Sequence, residues 1–193
     1  MRTSVLFLVF LSTICEAYCS HRIMRHDQNN CSGLKEEKSV TAFLDWISSG
    51  TVPLYDVPGG KIQVSLPCSR GNTDDVTMMN IVAVNDSMYQ AIAYNGDNDS
   101  VLGMGWVYKT APIRVMGMIY LPGDTLSVFD RPNGQNISLS LTRSQLSNTG
   151  MLDVVDVCVD NGWIKIRITA GGNTVEGWIP PNSYCGNPYT TCG

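Results

Sequence analysis

Histidine is nearly absent from this 193-residue chain: its 2 copies are His21 and His26, and none follows. That scarcity removes most Cys-His and Ser-His hydrolases, which need an imidazole base beside the nucleophile, and most His-ligated metal enzymes. Charge is also sparse, at 16% of residues, with 13 Lys+Arg against 17 Asp+Glu and a net charge of -4. A nucleic-acid binder normally carries a basic patch or stripe, so the balance argues against one. Long apolar runs are missing too. The longest, residues 5–14, is interrupted by Ser12 and Thr13 and is too short to cross about 30 Å of hydrocarbon as a helix. No Gly-x-Ser-x-Gly elbow and no phosphate-cradling glycine loop with lysine occurs, which leaves the common nucleophile and nucleotide motifs unfilled. No cofactor and no metal is expected.

What is present begins with an address. Residues 1–19, MRTSVLFLVFLSTICEAYC, combine a short positive end, an apolar stretch and small residues, the pattern of a secretory signal peptide cleaved after Ala17 or Cys19. The expected location is therefore outside the cytoplasm, periplasmic or extracellular, with no membrane span. Export changes the meaning of the 7 cysteines, because cysteines in oxidising compartments tend to pair. Cleavage after Ala17 leaves Cys19, Cys31, Cys68, Cys158, Cys185 and Cys192; cleavage after Cys19 leaves one thiol unpaired. The expected pair is Cys185 with Cys192, which bracket GNPYTT, since Gly186, Asn187 and Pro188 are turn formers that let a short loop close.

Residues 20–50 start polar. Leu34, Val40, Phe43, Leu44 and Ile47 then recur at three- and four-residue steps, and this predicts a short amphipathic helix over 33–47. After Ser49 the texture changes to short alternating or β-branched runs separated by Gly, Pro, Asn and Asp. Strands are expected at 52–56, 61–66, 79–84, 88–94, 105–109, 126–130, 137–141, 152–159, 163–169 and 175–179. Such spacing indicates small all-β units.

The chain also repeats itself. TVPLYDVPGG at 51–60 matches TLSVFDRPNG at 125–134, with Thr, Asp, Pro and the final Gly in register. MNIVAV from Met79 corresponds to LDVVDV from Leu152, YQAI from Tyr89 to WIKI from Trp163, and GWV from Gly105 to GWI from Gly177. Four blocks in one order predict two β domains of one type, at 51–115 and 120–193, because two copies of so long a period suit tandem domains and not a solenoid.

Each copy runs as an apolar-aromatic strand, an Asp-x-Pro-x-Gly turn, central strands and a closing Gly-Trp-Val/Ile. This resembles the bacterial SH3-like (SH3b) domain, a barrel of about five strands. Val159-Asp-Asn-Gly-Trp-Ile-Lys-Ile166 is similar to the family's central hairpin, with Asn161-Gly162 as a two-residue type I′ turn signal. The segment from Trp178 to Cys192 resembles the tail of secreted SH3b-like proteins of the Bacteroidetes type. The first copy departs from the pattern, with Asn85-Asp86-Ser87 at its turn and a polar insertion at 70–75. The resemblance implies two SH3-like barrels in tandem behind the leader helix. It also implies binding of cell-wall stem peptide or another envelope polymer, or docking of a protein partner. Candidate ligand contacts are Tyr55, Tyr89, Trp106 and Tyr108 in the first copy, and Phe129, Trp163, Trp178, Tyr184 and Tyr189 in the second. No catalytic residue is expected. Asp74-Asp75 and Asp97-Asn98-Asp99 read as solvated turns, since the second lacks the glycine and distal glutamate of a helix-loop-helix calcium site.

Overall fold

The computed structural model describes residues 38–68, 76–119, 124–146, 150–170 and 172–188. The expected signal segment, both histidines, Asp74-Asp75, Tyr189 and Cys192 lie outside the described residues. The described chain is almost wholly antiparallel β-sheet, and its only helical pieces are short 3-10 turns at Arg143–Gln145 and Pro181–Ser183. None of its helices is long and apolar enough to cross a membrane.

In the first half the strands are β1 (Val40–Leu44), β2 (Thr51–Tyr55), β3 (Ile62–Pro67), β4 (Thr77–Val84), β5 (Met88–Asn95) and β6 (Val101–Tyr108). In the second they are β7 (Ile113–Gly117), β8 (Thr125–Phe129), β9 (Ile137–Thr142), β10 (Met151–Cys158), β11 (Trp163–Ala170) and β12 (Asn173–Ile179); β13 (Tyr184–Cys185) adds to β7. The sheet order is β3-β2-β6-β5-β4-β1-β7-β10-β11-β12-β8-β9. Read outward from the central β1–β7 pair, the two six-strand paths are identical. Both also carry a bulge in the second-to-third strand pair and another in the fourth-to-fifth. Among the described residues no ladder joins β3 to β4 or β9 to β10. β3 and β4 nonetheless touch where Thr77 Oγ1 donates to the Pro67 carbonyl at 3.2 Å.

The repeated Asp-x-Pro-x-Gly motif has a local cause. Asp56 Oδ1 accepts from the backbone N–H of Val57 and of Lys61, each at 2.8 Å, so the side chain substitutes for the ladder while the chain reverses. Gly60 packs against that same oxygen, and Gly134 sits likewise against Asp130 Oδ1. A second pair of glycines is fixed by close approach. A Cβ on Gly105 would lie 2.5 Å from the Tyr55 carbonyl oxygen, and one on Gly177 would lie 2.9 Å from that of Phe129. These contacts explain the Gly before each Trp in the repeated Gly-Trp.

The helix expected over 33–47 is corrected by β1. Val40, Ala42 and Leu44 enter the main core, while Phe43 is buried on the opposite face with Val76 and Met78. Apolar residues are needed on both faces of this strand, so alternation disappears and a short run is ambiguous between strand and helix. The two-residue turn at Asn161-Gly162 is also corrected. The connection spans 159–162, Cys158 O accepts from Gly162 N at 2.9 Å, and Gly162 alone is left-handed, with φ +73. Asn161 instead uses its side chain, accepting from Trp163 N at 3.2 Å.

One continuous core serves both halves, running from Val40, Leu54, Leu66 and Tyr89 through Ile113 and Val115 to Leu126, Ile164 and Ile179. Burying each large apolar side chain in it contributes about 1.5–3 kcal/mol. Ion pairs add to the join. Lys109, just past β6, meets Asp156 of β10 at 2.7 Å, and Arg114 of β7 pairs with both Asp45 and Asp153.

Asp45 is 6% exposed, and removing its guanidinium partner would leave a buried carboxylate uncompensated. Arg114→Ala is expected to cost about 3 kcal/mol, read by urea denaturation, and Asp45→Asn in that background is expected to return part of the loss.

Candidate binding face

Side chains alternate across each strand, so every strand has a core-facing and an outward set. On β6, Gly105 and Val107 are buried, whereas Met104, Trp106 and Tyr108 point outward. Tyr55 of β2 lies opposite Trp106, and its ring meets that of Tyr108 edge-on at 5.4 Å. On the other flank, Gln90 of β5 is opposite Trp106 and Ile92 is opposite Met104. The fold thus brings three expected contacts, Tyr55, Trp106 and Tyr108, to one face of the first half. Met104 and Gln90 belong to the same face; a search restricted to aromatics passes over them, although the alternation Met104-Gly-Trp106-Val-Tyr108 marks them.

The second half repeats the arrangement. Phe129 is opposite Trp178, and its ring meets Trp163 edge-on at 5.3 Å. The partner ring comes from the neighbouring strand: Tyr108 stands on β6 opposite Met88, and the position equivalent to Met88 is Trp163 on β11. An aromatic pair therefore occupies the same place in both halves by two different substitutions.

Two of the remaining candidates sit elsewhere. Tyr89 is fully buried. The ladders pair Tyr89 with Val107 and Ile164 with Ile179, so Tyr89 is equivalent to Ile164 and not to Trp163. A one-residue slip turns the side chain to the other face of the sheet, which puts Tyr89 in the core. Burial, then the charge of Asp156, push its hydroxyl pKa up, and that hydroxyl has no hydrogen-bond partner. Tyr184 is half-buried, donates to the Gly162 carbonyl at 2.7 Å and has its pKa raised by burial, so it pins the β10–β11 turn. Trp46, not among the expected contacts, stacks on Phe43 at 5.1 Å in the second apolar cluster.

The two outward faces differ in charge. Strands β1 to β6 contain no Asp, Glu, Lys or Arg. In the second half, Lys165 lies opposite Trp178 and Arg167 opposite Glu176, at the positions of Gln90, Ile92 and Met104. Glu176 takes Lys165 at 3.0 Å and Arg167 at 2.7 Å. Hydrogen bonds from Arg167 and Lys165 lower the Glu176 pKa from its ordinary value of 4.5. Asp153 faces Arg167 in the next ladder and Arg114 in the one beyond.

Cys68 is buried with a free thiol, whose pKa is raised by burial and by Asp45. Cys158 and Cys185 are each disulfide-bonded; Cys192, the expected partner of Cys185, is outside the described residues. Comparison with protein-family models, curated proteins and solved structures finds no match for this chain.

Removing the unpartnered hydroxyl in Tyr89→Phe is expected to stabilise the protein by about 1 kcal/mol, a rise of roughly 2–4 °C in Tm by calorimetry. The lowered Glu176 pKa implies stability that is present above pH 4.5 and lost as pH falls through the folded-state value. Glu176→Gln is expected to flatten the acid limb of a stability–pH curve below pH 4.5, with little change in slope near neutrality.

Proposed function

We propose that this chain is a secreted, non-catalytic binding protein that recognises cell-wall peptide or another envelope polymer through two SH3b-like units, each curled toward a barrel. The observation that carries the reading is the pair of outward aromatic groups, Tyr55–Trp106–Tyr108 and Phe129–Trp163–Trp178, set at equivalent places in two copies of one strand plan. Aromatic rings on a rigid sheet offer a large contact area at low entropic cost. The signal-like segment 1–19 and the disulfide-bonded Cys158 and Cys185 support export, because disulfides persist in oxidising compartments. The Thr77–Pro67 contact supports curling of the first unit. The lack of histidine beyond His26 supports binding without turnover.

A second reading, docking of a partner enzyme or surface complex, is favoured by Met104, Trp106 and Tyr108 standing together on a face without charge. Aromatics and methionine are enriched at the centres of protein interfaces, and Lys, Glu and Asp are depleted there.

Retention on purified cell walls, at low and at physiological salt, tests the main reading. The wild-type protein is expected to pellet with the walls, and Tyr55→Ala with Tyr108→Ala to reduce its retention about tenfold while the protein stays folded by circular dichroism. A protein that stays in the supernatant at both salt concentrations overturns the reading.

A further inference from the structure

The two halves share one strand plan, so each position on one outward face has a counterpart on the other, and the differences report what each face contacts. We propose that the face of the first half, along Met104, Trp106 and Tyr108 with Tyr55 and Gln90 beside them, takes an uncharged polysaccharide chain. This rests on the binding reading above and names its ligand class.

On the second half, Glu176 replaces Met104, Arg167 replaces Ile92 and Lys165 replaces Gln90, and the three close on one another at 2.7 and 3.0 Å. A ligand laid over that triad would have to strip water from charged side chains that are still a third to a half exposed. The first half imposes no such cost. Met104 is 57% exposed and Tyr108 is 41% exposed, and together with Trp106 they form a stripe one strand wide, whose members are spaced about 7 Å apart.

Charge complementarity selects the ligand. Stem peptides carry carboxylates and amines, and strands β1 to β6 provide no ionic side chain to receive them. A neutral sugar presents flat C–H faces for the rings of Trp106, Tyr108 and Tyr55, and hydroxyls for polar groups at the rim. The Gln90 amide lies directly across from Trp106, where it can both donate and accept. The narrowness of the stripe also favours a linear polymer over a protein partner, because a stable protein interface needs about 800 Å² on each side.

The test titrates the purified protein with chitotetraose, an uncharged sugar, following tryptophan fluorescence. Saturable quenching is expected. Tyr108→Ala and Met104→Glu, the latter installing the second half's residue, are each expected to weaken binding about tenfold or more. Arg167→Ala, on the other half, is expected to leave it unchanged; circular dichroism checks that each variant folds. Sugar binding that survives both Tyr108→Ala and Met104→Glu overturns the assignment of the face. Retention on intact walls without binding of chitotetraose overturns the neutral-sugar ligand and leaves the binding reading standing. Failure to bind walls or sugar removes both. A dimer in sedimentation that Met104→Glu dissolves also overturns the proposal, because the stripe is then covered by a second copy.

Discussion

The antiparallel contact between β1 and β7 holds the rest of the structure in place. It is short: Phe43 faces Arg114, Leu44 faces Ile113, and Asp45 N donates to Pro112 O at 2.8 Å. Hydrogen bonds alone would make a weak joint, since each is worth about 1 kcal/mol net. Burial decides the matter. Leu44, Ile113 and Val115 lie in the shared core, and Phe43 and Met116 lie in or against the smaller cluster on the opposite face. With apolar packing on both sides, neither central strand carries an exposed residue. Each six-strand path is then an extension of one of them, β4 growing from β1 and β10 from β7. Arg114 completes the joint by reaching Asp45 in one half and Asp153 in the other.

A centre of this kind constrains the inward residues and leaves the outward ones free to diverge. Inward positions keep their character across the copies: Leu54 and Val128, Val107 and Ile179, Leu66 and Leu141 are all buried. The glycines of the two Gly-Trp pairs are equally fixed, because the chain at Tyr55 and at Phe129 passes too close for a side chain. Outward positions have no such obligation. There Thr41 and Tyr94 satisfy Asn80 through neutral hydrogen bonds, whereas the equivalent Asp153 meets Arg114. Either solution satisfies the polar atoms, so the core does not decide between them.

The sequence pattern marks the ten strands that have one wet face, from β2 to β6 and from β8 to β12, because alternation survives where water touches one side. It does not mark β1, β7 or β13. In β1 the three- and four-residue steps of Val40, Phe43, Leu44 and Ile47 imitate a helix, since Phe43 is buried on the face opposite Leu44. In β7, Arg114 interrupts a five-residue run that follows Pro112. β13 has two residues and takes its identity from pairing with Gly117 and Met116. Site legibility follows the same logic. The outward placement of Tyr55, Trp106, Phe129 and Trp178 follows from the repeat, but aligning Tyr89 with Trp163 falls one residue short: Val84 pairs with Tyr89 five residues on, whereas its counterpart Val157 pairs with Ile164 seven residues on. That difference sends Tyr89 inward. The lack of charge in β1 to β6 is visible in the sequence once the strand limits are known.

Exposed apolar side chains separate into two kinds when the copies are compared. Ile62 is 57% exposed and its equivalent Ile137 is 54% exposed; each follows the Asp-x-Pro-x-Gly turn and faces the ring residue, Tyr55 or Phe129, across a bulge. Exposure common to both copies is a consequence of the strand plan. Met104, 57% exposed, stands where the second half has Glu176, and Val101, 69% exposed, pairs with Tyr94, whose counterpart Thr169 pairs with Thr174. The strand plan does not require these apolar residues, since the other half folds with polar ones in their place. Nor do they add to the core, as both face water. Leaving them in water gains the fold nothing, and an unpaired apolar stripe is a liability for association. Residues that neither the plan nor the core accounts for, and that add to that liability, are the ones whose presence a ligand best explains.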